Sequence, residues 1–147
     1  MQGTIYDNIV VVGKIDPDAY TASTVNTNVI DMSKWTAVMF TVMAGELGSS
    51  ATLDFVVKGD TASGGSFTTT ITGKSITQLT QAGTDSDKIA VVLVTQSEVA
   101  EQGFRYIRGA MTIGTATSDA GAVVHGVPYQ GSPATSIDLS SVDEVVN

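Results

Sequence analysis

Residues 52–58 read Thr-Leu-Asp-Phe-Val-Val-Lys, and apolar and polar side chains alternate along most of this stretch. In an extended chain the apolar members fall on one side and the polar members on the other. The stretch therefore predicts a half-buried β-strand with one face in water. Residues 35–44 have a similar strand-like pattern, and a polar turn at 45–50 separates the two, so we expect them to form a hairpin.

The composition favours strands along the rest of the chain. Charged residues make up only 15% of the 147 residues, against about 25% in typical globular proteins. Thr, which packs well on a pleated sheet, and Gly and Ser, which suit turns, fill the difference. Short strands at roughly ten-residue spacing predict an all-β, mainly antiparallel domain, built as a sandwich or as a barrel-like, jelly-roll-like fold.

Two neighbouring segments refine this prediction. Residues 89–94 are almost continuously apolar, which predicts a strand that is covered on both faces. Thr95 and Glu98 then have the spacing of a capping box, and Gly103 can end a helix in the left-handed conformation. The sequence predicts one short helix of barely two turns between them.

We expect three segments along the chain. Residues 1–28 form an extended N-terminal arm with a first strand, 29–131 form the sandwich or barrel domain, and 132–147 form an acidic C-terminal tail. The Asp-Pro-Asp sequence at 16–18 is expected to break the first strand. Residues 141–144 are expected to start at most one fraying helical turn.

The charge of the chain limits its partners. The formal net charge is −8, whereas binding to nucleic-acid phosphates needs clustered Lys and Arg, so we expect no nucleic acid and no anionic membrane as partner. No apolar run approaches the ~20 residues that span a bilayer. Without cysteine there is no disulfide or cysteine-ligated zinc site. The N-terminus lacks the features of a signal peptide, so we expect synthesis in the cytoplasm without secretory processing.

Two motifs bear on catalytic or nucleotide chemistry. Residues 73–75, Gly-Lys-Ser, resemble the end of a phosphate-binding loop, but Thr68 stands where that loop needs a glycine. Lys74 is therefore interpreted as a solvated turn residue. His125 is the only histidine, and the chain has no Gly-x-Ser-x-Gly motif to supply a nucleophile, so a structural or interface role is the expected one.

Two pairs of acids remain as candidate metal ligands. Asp16 with Asp18, and Asp85 with Asp87, could contribute oxygen ligands to calcium. Neither pair belongs to a complete calcium-loop pattern, and Asp also favours turns for its own hydrogen bonding. We predict no catalytic residue, no cofactor and no metal site, and hence a protein that is not an enzyme.

A small group of side chains is typical of a protein interface. Arg105 and Arg108 are expected on one strand beside Phe104 and Tyr106, and arginine and aromatic residues are enriched where proteins bind each other. An ordinary polar strand face is the competing interpretation. Trp35 is a further interface candidate, with a place in the core as its alternative.

Between residues 29 and 131 the chain resembles a family of small virion structural proteins that are encoded beside the major capsid genes of tailed phages. The stretches that carry the resemblance are 29–35, 50–55, 74–88, 103–108 and 112–117, of which Ile-Thr-Gln-Leu-Thr-Gln-Ala-Gly at 76–83 is the most specific. The match covers about two-thirds of the chain, and it includes no catalytic signature.

The resemblance implies a capsid decoration, or cement, protein that bridges capsomers and stabilises the shell. Such proteins commonly form homotrimers over the three-fold and quasi-three-fold sites of the capsid. The implied partners are the major capsid protein and further copies of the chain, and the implied location is the capsid surface of the virion, after synthesis in the host cytoplasm. Another virion component of the tail or head–tail connection, or a carbohydrate-binding β-sandwich, are the alternatives.

Overall fold

The computed structural model describes residues 5–129 and 139–146. Within these ranges the chain forms ten strands and two short helices. The strands are β1 (Val10–Tyr20), β2 (Ser23–Asn26), β3 (Ile30–Asp31), β4 (Trp35–Ala44), β5 (Thr52–Asp60), β6 (Thr69–Ser75), β7 (Leu79–Thr80), β8 (Ile89–Thr95), β9 (Tyr106–Gly114) and β10 (Ser118–Pro128). The helices are α1 (Ile5–Asn8) and α2 (Gln96–Glu101).

The strands build two antiparallel sheets with the core between them. In sheet A the order is β1-β10-β4-β8. In sheet B the order is β2-β9-β5-β6, with β3 also paired to β9 and β7 to β5. The largest fully buried side chains, which include Phe40, Phe55 and Met111, come from both sheets. The predicted all-β sandwich of antiparallel strands is confirmed.

The predicted hairpin of β4 and β5 is wrong. β4 pairs with β10 and β8 in sheet A, whereas β5 pairs with β9, β6 and β7 in sheet B. Residues 45–51 carry the chain from one sheet to the other. Each strand has one apolar face, and placing the strands in opposite sheets lets these faces pack against each other. The rings of Phe40 and Phe55 accordingly meet in the core, with centroids 5.6 Å apart.

The predicted helix is confirmed as α2, together with both of its caps. The Thr95 amide donates to the Glu98 carboxylate at 2.9 Å, and the Glu98 amide donates to the Thr95 hydroxyl at 3.4 Å. At the other end Gly103 has a φ of +81°, and the amide of Phe104 donates to the Val99 carbonyl at 3.1 Å. The single turn of α1 was not predicted, because four residues are too few to show a helical period. Neither described helix is long and apolar enough to cross a membrane.

Two strands of the expected N-terminal arm belong to the sheets. β1 lies along β10 at one edge of sheet A, and β2 lies along β9 in sheet B. Residues 16–18, which were expected to break the strand, lie within β1 and produce a register shift between Ile15 and Asp18. An edge strand can accept the proline there, because a bulge needs no complete ladder of hydrogen bonds.

The described part of the expected acidic tail, residues 139–146, begins against β1. The Leu139 amide donates to the Val11 carbonyl at 3.1 Å, and the Val142 amide donates to the Leu139 carbonyl at 3.0 Å. This is a turn at 140–141, so the helical turn expected at 141–144 is wrong. So short a segment forms too few hydrogen bonds to offset the nucleation of a helix. The expected boundary between domain and tail lies outside the described residues.

Candidate protein-binding surface

The outer faces of the two sheets differ in chemistry. On sheet B the outward positions of β5 and β9 include charged and hydroxyl side chains such as Asp54, Lys58 and Thr112. On sheet A most outward positions are apolar. We call this surface the sheet A face. It consists of the outward side chains of Val11 on β1, of Val123, His125 and Val127 on β10, of Met39, Thr41 and Met43 on β4, and of Ile89, Val91 and Leu93 on β8.

The edge strand β8 holds the most exposed part of the sheet A face. Ile89, Val91 and Leu93 are 63%, 53% and 60% exposed, while Val92 and Val94 between them are buried. Among the described strands β8 pairs only with β4. Its free edge therefore presents backbone donors and acceptors next to exposed apolar side chains. These features are typical of an edge strand that is available for pairing with another chain.

The prediction that residues 89–94 are covered on both faces is wrong for the single chain. The sandwich covers the inner face, and the outer face stays exposed because β8 lies at the edge of sheet A. An exposed apolar patch of this kind is a candidate contact surface for another molecule. The continuous apolar run was thus the sequence signal for the surface, although the sequence could not show that the fold covers only one of the two faces.

The sheet A face continues from β8 across the neighbouring strands. The register places Leu93 and Ile89 of β8 opposite Met39 and Met43 of β4. On the other side of β4, it places His125 of β10 opposite Met39. Directly opposed side chains in antiparallel strands lie about 5 Å apart. The residues therefore form one continuous surface rather than scattered apolar positions.

His125 lies inside this surface. Its cross-strand neighbours are Val11 and Met39, neither of which can act as a nucleophile or orient the ring. The Nδ1 atom is buried and has no hydrogen-bond partner within the described part of the chain. In the same ranges no three His, Asp or Glu side chains lie close enough together to hold a metal ion. The surroundings of His125 suit packing against another surface better than chemistry.

A groove of about 460 Å³ runs along β8, between residues 90–93 and residues 73–77. Lys74 lies beside it in strand β6, so the prediction of a solvated turn at this residue is wrong. Its ammonium group donates to the Glu98 carboxylate at 2.8 Å. This hydrogen bond, with a second one from the Thr95 amide, lowers the pKa of Glu98 from 4.5 to about 2. The ion pair ties sheet B to helix α2 across this side of the sandwich.

Three of the four predicted interface residues, Arg105, Tyr106 and Arg108, lie close together in the structure. Arg105 precedes β9 instead of lying within it, so the prediction that both arginines lie on one strand is wrong. Its guanidinium group binds the Asp31 carboxylate with two hydrogen bonds of 2.9 and 2.8 Å. These bonds hold the pKa of Asp31 well below its usual range and raise the pKa of Arg105. Arg105 thereby fastens β3 to the start of β9.

Tyr106 and Arg108 lie beside Arg105, on the outer face of sheet B. The Arg105 guanidinium stacks over the Tyr106 ring at 5.1 Å, and the Arg108 guanidinium stacks over the Phe67 ring at 4.7 Å. The Nε atom of Arg108 is buried and lacks a hydrogen-bond partner in the described ranges. Both arginines therefore already bind within the chain. Their predicted role in a contact with another protein stays a prediction.

Trp35, the fourth candidate, lies apart from the other three. It is 4% exposed and belongs to the core, which corrects its proposed place at an interface in favour of the alternative interpretation. The ring lies over Gly126, where an added Cβ would come within 2.6 Å of a ring carbon. The glycine thus leaves the space that the indole ring fills.

The acid pairs take part in local contacts. Asp85 accepts a hydrogen bond from the Thr80 amide at 2.9 Å, which closes a surface turn. Asp16 pairs with Lys14 on the outside of β1. The turn interpretation therefore accounts for the position of Asp85, and an ion pair on a strand accounts for that of Asp16.

Comparisons with known proteins find likenesses of fold only. No protein-family model and no curated protein matches the chain. A chain from the Bacillus endospore appendages, which form disulfide-linked pili, is 11% identical over 87% of this chain and 97% of that chain, with a TM-score of 0.43. Chains of infectious bursal disease virus, Gx and Gt strains, are each 12% identical over 86% of this chain, with TM-scores of 0.46 and 0.47. This chain spans about a third of the length of the two virus chains. Likenesses this distant carry no argument about function.

Proposed function

We propose that this protein is a virion structural protein that decorates a tailed-phage capsid and stabilises it by bridging capsomers, with its copies associated as a trimer. The observation that carries the structural part of the proposal is the exposed sheet A face on a chain of net charge −8. A protein that acts alone in water gains nothing from such a surface, whereas a subunit of an assembly buries it. The tailed-phage capsid is proposed as this assembly because residues 29–131 resemble the family of small virion structural proteins.

The size of the effect fits a repeated contact. Fully burying a Val, Leu or Ile side chain contributes about 1.5–3 kcal/mol. Because slightly more than half of Ile89, Val91 and Leu93 is exposed, covering all three would contribute about 3–5 kcal/mol per copy. Much of this is offset by the entropy lost on association. One such contact is therefore weak, and symmetric repetition over a shell multiplies it through avidity.

Binding to shells tests the proposal. Purified protein is added to shells of its own capsid that lack it, and the mixture is separated on a density gradient. We expect co-sedimentation, and we expect the decorated shells to resist heat better than bare ones. An unrelated shell serves as the control. Protein that stays at the top of the gradient with its own capsid would refute the proposed function.

The copy number in the same gradient separates decoration from a tail or head–tail role. Decoration is expected to give hundreds of copies per particle, because symmetric shells repeat each site many times. A connector component would give few. A carbohydrate-binding module needs an exposed aromatic platform, and in the described ranges Tyr129 is the only aromatic among the exposed large hydrophobic residues.

A further inference from the structure

We propose that strand β8 lies beside the rotation axis of a homo-oligomer of this protein, where Ile89, Val91 and Leu93 of each copy pack against the same residues of its neighbours. The proposal rests on the proposed function only in taking the sheet A face as a contact between proteins. It names the occupant of that face as another copy of the chain.

The distribution of charge favours a second copy as the occupant. The chain carries 15 acidic and 7 basic residues, so identical copies repel each other over most of their surfaces. The sheet A face contains no Asp, Glu, Lys or Arg. The charged side chains beside it lie along its borders: Lys14 on β1, opposite Val123, is paired with Asp16, and Asp119 is exposed at the start of β10. A partner recognised through opposite charge would find charge only at the borders of this face, whereas an identical apolar surface meets no repulsion over its centre.

Symmetry explains why the three β8 residues would meet their own copies. Around a two-fold or three-fold axis, residues next to the axis contact the same residues of neighbouring copies. The most exposed apolar side chains therefore belong nearest to the axis, where they are covered from several sides. β8 satisfies this condition, since it is an edge strand that pairs only with β4 among the described strands.

The dimensions of the face suit the centre of an interface. Four strands spaced about 4.8 Å apart, taken over the seven-residue length of β8 at about 3.4 Å per residue, give a face of roughly 15 by 20 Å. This is about 300 Å², less than half of the ~800 Å² that each partner buries in a standard interface. Interfaces have an apolar core within a polar rim. The sheet A face supplies the core, and the surrounding surface has to supply the rim.

The solution mass of matched variants tests the proposal. We expect the wild-type protein to elute as an oligomer in light scattering after gel filtration, and Val91→Asp to fall to the 15.2 kDa of the single chain. Thr70→Asp is the matched control, because Thr70 is exposed on β6, the edge strand of sheet B, and lies opposite Lys58. It should keep the wild-type mass. A monomeric wild type, or an oligomer that survives Val91→Asp, would overturn the proposal.

Crosslinking gives a second test that does not depend on Val91→Asp folding correctly. The chain has no cysteine, so a single introduced thiol can only bond to the same residue of another copy. A disulfide needs Cα atoms about 4.4–6.8 Å apart. Of Ile89→Cys, Val91→Cys and Leu93→Cys, at least one should form a covalent dimer on mild oxidation, and Thr70→Cys should not. Failure of all three to crosslink excludes β8 from the axis.

The two proposals fail in different ways. A wild-type monomer that still binds its capsid would sink both the β8 contact and the proposed trimer, and would leave the decoration role intact. An oligomer that crosslinks through β8 but never binds the capsid would sink the decoration role and leave the contact between copies intact.

Discussion

The packing of Phe55 against Gly109 across β5 and β9 allows a quantitative test of the core. Phe55 is 1% exposed, and a Cβ added to Gly109 would lie 2.3 Å from the tip of its ring and 3.2 Å from the ring of Phe40. Neither ring has room to move in a densely packed interior. We therefore expect Gly109→Ala to lower the free energy of unfolding by about 1–3 kcal/mol through overpacking.

The second perturbation, Phe55→Leu, removes the ring tip that the new methyl group would strike. Alone it should lower the free energy of unfolding by about 1–2 kcal/mol, between the loss of one methyl group and the loss of a whole ring. In the double variant the added methyl group occupies part of the vacated space. The loss should then be about 1–2 kcal/mol smaller than the sum of the single losses.

Urea unfolding at one protein concentration measures these differences. With a slope of about 1–3 kcal/mol per molar urea, a coupling of this size shifts the midpoint by about 1 M. Gly64→Ala is the control, since an added Cβ there meets nothing within 4 Å, and it should leave the midpoint nearly unchanged. If the two single losses add to within about 0.5 kcal/mol, the two residues are not in contact and the described packing is refuted.

Two further predictions concern helix α2. Because the pKa of Glu98 is depressed to about 2 in the folded protein, its contribution to stability is present above pH 4.5 and is lost as the pH falls towards 2. The urea midpoint of the wild-type protein should therefore fall between pH 6 and pH 3, and Glu98→Gln should reduce this fall. Glu101→Gln, on the same helix, should not reduce it. If both variants are equally sensitive to acid, the depressed pKa of Glu98 is not the cause of the fall. Thr95→Ala removes the N-cap hydroxyl and should lower the free energy of unfolding by about 1 kcal/mol, whereas Glu101→Ala as control should change it less. A similar loss in both would show that the cap adds no stability of its own.

Several features of the protein were determined by the sequence itself. The alternation at residues 52–58 assigns Leu53, Phe55 and Val57 to the inner face of a strand, and all three are at most 1% exposed. The spacing of Thr95 and Glu98 places the capping box. These features depend on residues that are neighbours in the chain, because alternation in a strand and capping of a helix act over a few residues.

Only the tertiary structure decided which strands pair and which surfaces remain exposed. The sequence could not show that β4 and β5 belong to opposite sheets, nor that the carboxylate bound by Arg105 comes from Asp31, 74 residues earlier. It predicted the apolar run of β8 as a strand covered on both faces, and the fold left Ile89, Val91 and Leu93 open. The physical reason is that the cover of a strand comes from distant parts of the chain. Apolar side chains show that a face needs cover, but the topology determines whether the chain itself or another subunit provides it.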